Sequence, residues 1–360
     1  VESLLEADPA EPLDLAVEAV AYYTEQDDPQ KLARAYFLMG EAAYYLDDLQ
    51  SAIEHYKMAV RINIAAGLDL TPEHVNLLGN LGFFHDHLDQ KVIALDYYQQ
   101  ALQKARELRL KDEIAANLAN IGQLKTLQGN YVEAIECMEE ALAIDRELGD
   151  ESLIAVDLNT LGRMYEGWGM YDKAIGYLQE ALEIDRRLGL EERVAIRYNS
   201  MGLVYKSWKK FPEALEAFGK ALEIDRALGN EEKVALRYSN LGSTYLAMGQ
   251  PDKAIEFLTT GLRYFTDNNM PSYQASGMVD LGKAYFLKNN FDKSEEVLTK
   301  ALAITLEEDY KSWRMSSLET LSDVYSASGD HVKALETYKA YIRLKDSVFS
   351  IESQKKVAEG

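Results

Sequence analysis

The sequence predicts an all-α protein, a right-handed solenoid of about eight stacked two-helix repeats. The first observation behind this prediction is a Leu-Gly-like dipeptide whose glycine recurs at a constant spacing. A fixed period of about 20–50 residues is typical of stacked-repeat proteins. Ser322 holds the slot after the last glycine, and Gly40 precedes Gly82 at a slightly wider spacing. The anchor glycines of the regular series are Gly82, Gly122, Gly162, Gly202, Gly242 and Gly282.

The second observation is the spacing of apolar residues between successive anchors. They recur at three- and four-residue steps, as in Ala174, Leu178, Ala181 and Leu182. This spacing is the period of an amphipathic helix and not the alternation of a strand. Small residues occupy the twelfth and nineteenth positions after most anchors, so that neighbouring helices can approach closely. Each repeat therefore predicts two closely packed helices.

Turn residues follow both predicted helices of a repeat. Glycine, and less readily Asn or Asp, adopts the left-handed conformation that ends a helix. The turn between the two helices carries Gly129, Gly169, Gly249 and Gly329, with Asp89 and Asn289 as substitutes. The second helix is predicted to end at Gly149, Gly189 and Gly229, with Gly67 and Asn269 in the equivalent slot.

These positions resemble the tetratricopeptide repeat (TPR) family, which has a Leu-Gly pair, a tyrosine three residues later and alanines at twelve and nineteen. The tyrosine position holds Tyr165, Tyr205, Tyr245, Tyr285 and Tyr325. The 40-residue period is similar to the longer-helix variety of kinesin light chains and Leu-Gly-Asn proteins. The resemblance implies a TPR α-α superhelix whose first helices line a concave face. His85 and Lys125 replace the tyrosine, and Gly261 and Tyr341 replace the last alanine, so the packing of those repeats is expected to differ.

The repeat pattern divides the chain into three parts. We expect residues 1–32 to form a degenerate N-terminal half-repeat that caps the array, and residues 33–348 to hold eight repeats. Residues 349–360 are expected to begin a C-terminal helix of a longer protein. This end resembles the junction that closes TPR regions in Bacteroidetes-type signalling proteins, where a kinase or DNA-binding domain follows. The apolar stripe expected on this helix comprises Leu344, Val348, Ile351 and Val357.

The charge balance restricts the class of partner. With 38 Lys and Arg against 60 Asp and Glu, the chain carries a net charge of −22. It would repel phosphate backbones, so direct binding of nucleic acid by this segment is not expected. No apolar run of about 18 residues predicts a membrane span. Cys137 is the only cysteine, which fits a bacterial cytoplasm or periplasm equally well; compartment and oligomeric state stay open.

The TPR resemblance implies where a ligand would lie. In that family the side chains that contact the ligand lie on the first helix of each repeat. Their positions are six, three and two residues before the anchor glycine, and one and four residues after it. Carboxamides at successive turns could bind a peptide main chain, because each amide both donates and accepts hydrogen bonds. Alternatively, these amides cap or bridge neighbouring helices. The candidate groove residues are Asn80, Asn120, Gln123, Asn159, Arg163, Asn199, Asn240 and Lys283.

Several other site types are not expected. Chaperone-binding TPR proteins hold a Glu-Glu-Val-Asp tail with Lys or Arg, but the matching slots here are Val156, Ile196, Leu236, Thr160 and Ser200. The rings of His85 and His87 diverge on a helix, so they predict no metal site. No phosphate loop or nucleophile motif is present, so neither cofactor nor catalysis is predicted.

Two recurring features are interpreted as structural. The Ile-Asp-Arg triplet at 144–146, 184–186 and 224–226 indicates a solvated helix end with weak ion pairs such as Glu183 with Arg186. Trp168 and Trp208 share one repeat position and are expected to stack between repeats, with a ligand platform as the alternative.

The sequence thus favours a non-enzymatic scaffold that binds a protein or peptide, as the sensory or interaction region of a bacterial signal-transduction or transcription regulator. A free-standing TPR adaptor for complex assembly is the alternative. A second alternative resembles the Rap proteins, which dephosphorylate response regulators and sense peptides. Those proteins need an N-terminal helical bundle, for which residues 1–32 are too few.

Overall fold

The computed structural model describes the backbone of residues 10–359 and the side chains of residues 12–348. Every regular element in this part of the chain is an α-helix, which confirms the all-α prediction. The helices are α1 Ala10–Glu25, α2 Pro29–Tyr45, α3 Leu49–Ala65, α4 Pro72–His87, α5 Lys91–Leu108, α6 Lys111–Leu127, α7 Tyr131–Leu148, α8 Glu151–Gly167, α9 Tyr171–Arg187, α10 Glu191–Ser207, α11 Phe211–Ala227, α12 Glu231–Ala247, α13 Pro251–Asp267, α14 Pro271–Leu287, α15 Phe291–Glu307, α16 Lys311–Ser328 and α17 His331–Glu359.

The even-numbered helices from α2 onward begin the repeats, and the odd-numbered helices complete them. Two compact units can be distinguished, residues 1–164 (unit 1) and residues 165–360 (unit 2), with the boundary inside α8. In unit 1, α1 packs on α2, and the first helices α4 and α6 contact each other. In unit 2, the first helices α10, α12, α14 and α16 contact one another in succession. Each unit therefore contains a row of first helices.

The anchor glycines lie where the two helices of a repeat cross. A Cβ atom at Gly202 would lie 2.6 Å from the Phe218 ring, and one at Gly282 would lie 2.5 Å from Leu298. Real Cβ atoms do not approach that closely, so a larger residue would force the helices apart. The predicted close approach at the anchors is confirmed.

The predicted turn residues have the expected backbone. Gly129 and Gly169 adopt φ values of 80°, and Asp89 and Asn289 adopt 57° and 56°. At the end of the second helix, Gly149 has a φ of 80° and its N–H donates to the carbonyl of Asp145. Left-handed residues thus end both helices of a repeat, as the sequence indicates.

The residues that depart from the family pattern are accommodated locally. His85 is buried and stacks on Tyr97 with ring centroids 5.4 Å apart, as Tyr165 stacks on Tyr177 at the same repeat positions. A Cβ atom at Gly261 would lie 2.7 Å from the carbonyl oxygen of Ala235. Glycine at that position therefore allows α13 to approach α12 closely.

The last helix, α17, continues to Glu359. Leu344 and Val348 are half-buried, whereas the side chains of Ile351 and Val357 lie outside the described residues. The apolar stripe therefore stays a prediction. Among the described helices, none combines the length and the apolar content that crossing a membrane requires.

Candidate functional site

The eight candidate groove residues all lie on first helices. Unit 1 carries Asn80 on α4, Asn120 and Gln123 on α6, and Asn159 and Arg163 on α8. Unit 2 carries Asn199 on α10, Asn240 on α12 and Lys283 on α14. Because α4 contacts α6, and α10, α12 and α14 contact one another in succession, side chains of these successive repeats can meet directly.

In unit 1 the candidate residues differ in accessibility. Gln123 and Arg163 are exposed, while Asn80, Asn120 and Asn159 are half-buried. Asn80 hydrogen-bonds the hydroxyl of Tyr56, whose pKa is raised by burial and by its hydrogen bond to Glu41. The Oδ1 atom of Asn159 is buried without a hydrogen-bond partner among the described residues.

In unit 2 the candidate residues form direct contacts between repeats. The amide of Asn240 donates to Oδ1 of Asn199 at 2.8 Å, so this pair bridges α10 and α12. The Nζ atom of Lys206 donates to Oγ of Ser243 at 2.5 Å and joins the same two helices. The amide bridge is the arrangement that the alternative interpretation of these asparagines anticipated.

The charged end of this arrangement lies on α14. Burial raises the pKa of Asp280, while the nearby cations Lys283 and Lys206 act to lower it. Burial also lowers the pKa of Lys206, which Asp280 partly offsets. A carboxylate between two ammonium groups is thus held in a partly dehydrated position. We call the six side chains the polar row: Asn199, Lys206, Asn240, Ser243, Asp280 and Lys283.

The candidate groove residues include half of the polar row, namely Asn199, Asn240 and Lys283. They leave out Lys206, Ser243 and Asp280. Lys206 lies four residues after Gly202, which is one of the ligand positions of the resembling family. The sequence alone did not distinguish a lysine that reaches the next repeat from one that extends into solvent. The hydrogen bond to Ser243 shows that this one reaches the next repeat.

The prediction that the Ile-Asp-Arg triplets mark a solvated helix end is wrong for their aspartates. Asp185 is fully buried, with an exposed fraction of 0%, and its carboxylate accepts from Nε of Arg197 at 2.8 Å. Arg193 Nε lies 3.0 Å from the other oxygen of that carboxylate. Asp225 likewise accepts from Nε of Arg237 at 2.9 Å. The arginines come from the next first helix, which covers the end of the second helix.

The first triplet has a different partner. Asp145 on α7 is buried against Asp157 on α8, and Oδ2 of Asp157 has no hydrogen-bond partner among the described residues. Burial and the neighbouring Asp145 raise the pKa of Asp157 to about 8. Two dehydrated carboxyl groups in contact cannot both ionise at low cost, so the pair shares a proton at neutral pH.

The two tryptophans behave differently. Trp208 stacks on Tyr171 of the preceding repeat with centroids 5.9 Å apart, as predicted. Trp168, the residue after α8, is 44% exposed and stacks on Tyr165 near the end of that helix, with centroids 6.3 Å apart. Within the described residues, no group of three or more His, Cys, Asp or Glu side chains is placed to hold a metal ion.

Comparison with protein-family models gives matches over most of the chain. A tetratricopeptide repeat model matches residues 73–147, 113–187, 192–267 and 273–347. A second tetratricopeptide repeat model matches residues 33–63. A sequence comparison with curated proteins finds no match.

Solved structures with a similar fold include the following three. BtubC (BKLC) from P. vanneervenii is 26% identical, with a TM-score of 0.53 over 60% of this chain and 91% of BtubC. A signal transduction ATPase (STAND) protein with a tetratricopeptide repeat sensor from Pyrococcus horikoshii is 13% identical, with a TM-score of 0.62 over 96% of this chain and 54% of that one. A Rap protein complexed with competence and sporulation factor is 15% identical, with a TM-score of 0.60 over 97% and 98% of the two chains.

Proposed function

The chain belongs to the tetratricopeptide repeat family, and from that premise we propose that it is a non-enzymatic scaffold that binds a peptide in the groove along its first helices. Repeats of this family generally bind proteins or peptides, and stacked repeats offer an extended surface for doing so. The proposal assigns the eight candidate residues to that groove, together with Lys206 and Asp280.

The observation that carries the proposal is the polar row in unit 2. It consists of six polar side chains from three successive first helices. Hydrogen bonds join Asn240 to Asn199 at 2.8 Å and Lys206 to Ser243 at 2.5 Å. Hydrogen bonds hold Asn199, Asn240 and Lys206 in place, so a ligand would lose little side-chain entropy on binding. The amides can still donate and accept further hydrogen bonds, as a peptide main chain requires.

We further propose that the scaffold is the sensory or interaction region of a bacterial signalling or transcription regulator. The similarity to a protein that joins a tetratricopeptide repeat sensor to an ATPase supports this role at the level of the fold. A ligand signals only if it binds one arrangement of the repeats more tightly than another. A free-standing adaptor is the alternative, and a native mass close to the 40.6 kDa of this chain would favour it.

The similarity to a Rap protein supports a second candidate function, that of a response-regulator phosphatase that senses peptides. This candidate makes a distinct prediction about chemistry. Turnover of a phosphorylated response regulator by the purified chain, with release of inorganic phosphate, would replace the scaffold proposal with this one. The scaffold proposal expects no phosphate release above that of a buffer control.

The experiment that tests the groove compares two triple variants as affinity bait. The groove variant carries Lys206→Ala, Asp280→Asn and Lys283→Ala. The control carries Asp252→Asn, Lys253→Ala and Lys293→Ala on the second helices α13 and α15, where all three side chains are exposed. Both variants change the net charge equally, so a difference between them reports position and not charge.

We expect the parent chain and the control to capture a common partner from a lysate of the source cell, and the groove variant to lose it. Circular dichroism of all three chains checks that they remain folded. Equal capture by all three would place the interface away from the polar row and contradict the proposed groove.

A further inference from the structure

A cleft of about 500 Å³ opens in unit 1 between three helices. The N-terminal parts of α2 and α4 form its walls, and the C-terminal end of α3 lies at its base. Its volume falls within the range of roughly 300–1,000 Å³ that is usual for small-molecule sites. None of the eight predicted groove residues lines it. We call it the Asn63 cleft, after the residue at its base.

Asn63 is the most informative residue of the cleft. Its side chain is 4% exposed, and no hydrogen bond to it is found among the described residues. No hydrogen bond within the protein satisfies this amide, so its partners must be water or a ligand in the cleft. The small accessible part of this amide faces the cleft that it lines. The cleft is therefore where a hydrogen-bonding partner for Asn63 would lie.

Comparison with later repeats explains why the partner is missing. Asn63 follows Gly40 at the same spacing at which Asp185 follows its anchor, Gly162. Asp185 is satisfied by Arg197 from the next first helix, but the position equivalent to Arg197 here is Leu77. In the later repeat an arginine occupies this space. In the first repeat the space is left unfilled.

The connection between the helices also differs. Residues 66–71 join α3 to α4, whereas residues 188–190 join α9 to α10. The longer connection accounts for the wider spacing between Gly40 and Gly82. Within this connection, Leu68 and Thr71 line one side of the cleft and leave it open.

We propose that the Asn63 cleft binds an uncharged amide, either a primary amide or a peptide group, with an apolar substituent against Phe37 and Leu77. An amide presents one donor and one acceptor and so matches the neutral Asn63, whereas a guanidinium suits the Asp185 type of site. The walls carry charges of both signs: Lys31 pairs with Asp28 at 3.0 Å, and Arg34 and Glu73 both line the cleft. The Arg34 guanidinium also lies over the Phe37 ring, 4.6 Å from its centroid.

The test uses three probes with the same aromatic ring and different charge: benzamide, benzoate and benzamidine. Saturation-transfer difference NMR with the full chain reports which probe binds. We expect a benzamide signal at least threefold stronger than that of either charged probe. No benzamide signal, or a stronger signal from benzoate or benzamidine, would overturn the assignment of an uncharged amide.

Two variants place the binding in the cleft. Asn63→Leu removes the amide with little change in volume, and the double variant Asn63→Asp with Leu77→Arg rebuilds the ion pair of the later repeats and fills the cleft. Asn230→Ala, a half-buried amide in the connection before α12, lies outside both the cleft and the proposed groove and is the control. We expect at least a fivefold loss of the benzamide signal in both cleft variants and none in the control.

Circular dichroism identifies any variant that fails to fold, and the remaining cleft variant then decides the location. An undiminished benzamide signal in a folded cleft variant would overturn the proposed site. A failure of the polar-row experiment leaves this result unaffected, because the two sites share no residue.

Discussion

Unit 1 and unit 2 bury the same aspartate of the repeat and neutralise it in different ways. In unit 2, Asp185 and Asp225 are paired with Arg197 and Arg237, each on the first helix of the next repeat. In unit 1, Asp145 meets the residue at the same offset along the chain, but that residue is Asp157. One site is neutralised by an opposite charge and the other by a shared proton.

The difference shows that the repeat constrains the buried aspartate position and its facing position together. Neither residue can be understood without the other. A buried carboxylate without compensation is strongly unfavourable, so its neighbour must carry a cation or a proton must be retained. Elsewhere in the chain the requirement disappears because both positions are uncharged. Those pairs are Ala105 with Asn117, Phe265 with Gly277, and Thr305 with Ser317.

The largest effect is expected from removing the cation in unit 2. Arg237→Met leaves Asp225 buried without its hydrogen-bonded counter-charge and should lower the free energy of unfolding by about 3–5 kcal/mol. Denaturant unfolding measures the loss, and hydrogen exchange should place it in α11 and α12. Lys300→Met, which removes an ion pair with the exposed Glu296, is the control and should cost less than about 1 kcal/mol. Similar losses for the two variants would mean that Asp225 is not dehydrated.

An intermediate effect is expected from converting the unit 1 pair into the unit 2 pair. Asp157→Arg places a guanidinium where Asp145 can accept from it, as Asp185 accepts from Arg197. At pH 8 this should raise the free energy of unfolding by roughly 1–3 kcal/mol, because a like-charged pair becomes an opposite-charged one. Asp157→Asn removes the repulsion between the two carboxyl groups without adding an ion pair. The difference between the Arg and Asn variants therefore measures the ion pair. If the Arg variant is less stable than the Asn variant, the α7–α8 junction lacks the space that α9–α10 provides.

The smallest effect is a difference in pH dependence. The pKa of Asp157 is raised when folded, so between its unfolded value and about 8 the folded state binds more protons and stability falls as pH rises. The stabilising contribution is complete below the unfolded pKa and is lost once pH exceeds the folded pKa. Screening by nearby water reduces the maximum slope of about 1.4 kcal/mol per pH unit.

We therefore expect the parent to lose about 1–2 kcal/mol more than Asp157→Asn between pH 5 and pH 9. Thermal unfolding across that range, with both chains in the same buffers, measures the difference. Parallel pH profiles for the two chains would show that Asp145 and Asp157 do not share a proton.

Part of this comparison was readable in the sequence. The offset from Asp185 to Arg197 is repeated from Asp225 to Arg237, and a search for opposite charges at equal offsets would have found it. Opposite charges within one helix turn indicate only the weak Glu183–Arg186 pair. Burial of the aspartate could not be inferred that way, because it depends on the next repeat.

The sequence by itself determined the helix pairs, their boundaries and their close crossing, since these depend on short-range properties. Apolar spacing decides a helical face, a left-handed Gly129 ends a helix, and the missing Cβ of Gly202 admits Phe218. The assignment of the eight groove residues remains a prediction.

Only the tertiary structure decided which polar side chains meet. Asn240 reaches Asn199 across 41 positions, and Lys206 reaches Ser243 across 37. Asn63 has no such partner and faces a cleft. The physical reason is that the hydration of a polar group depends on the neighbouring helices that cover it, and those helices come from other repeats.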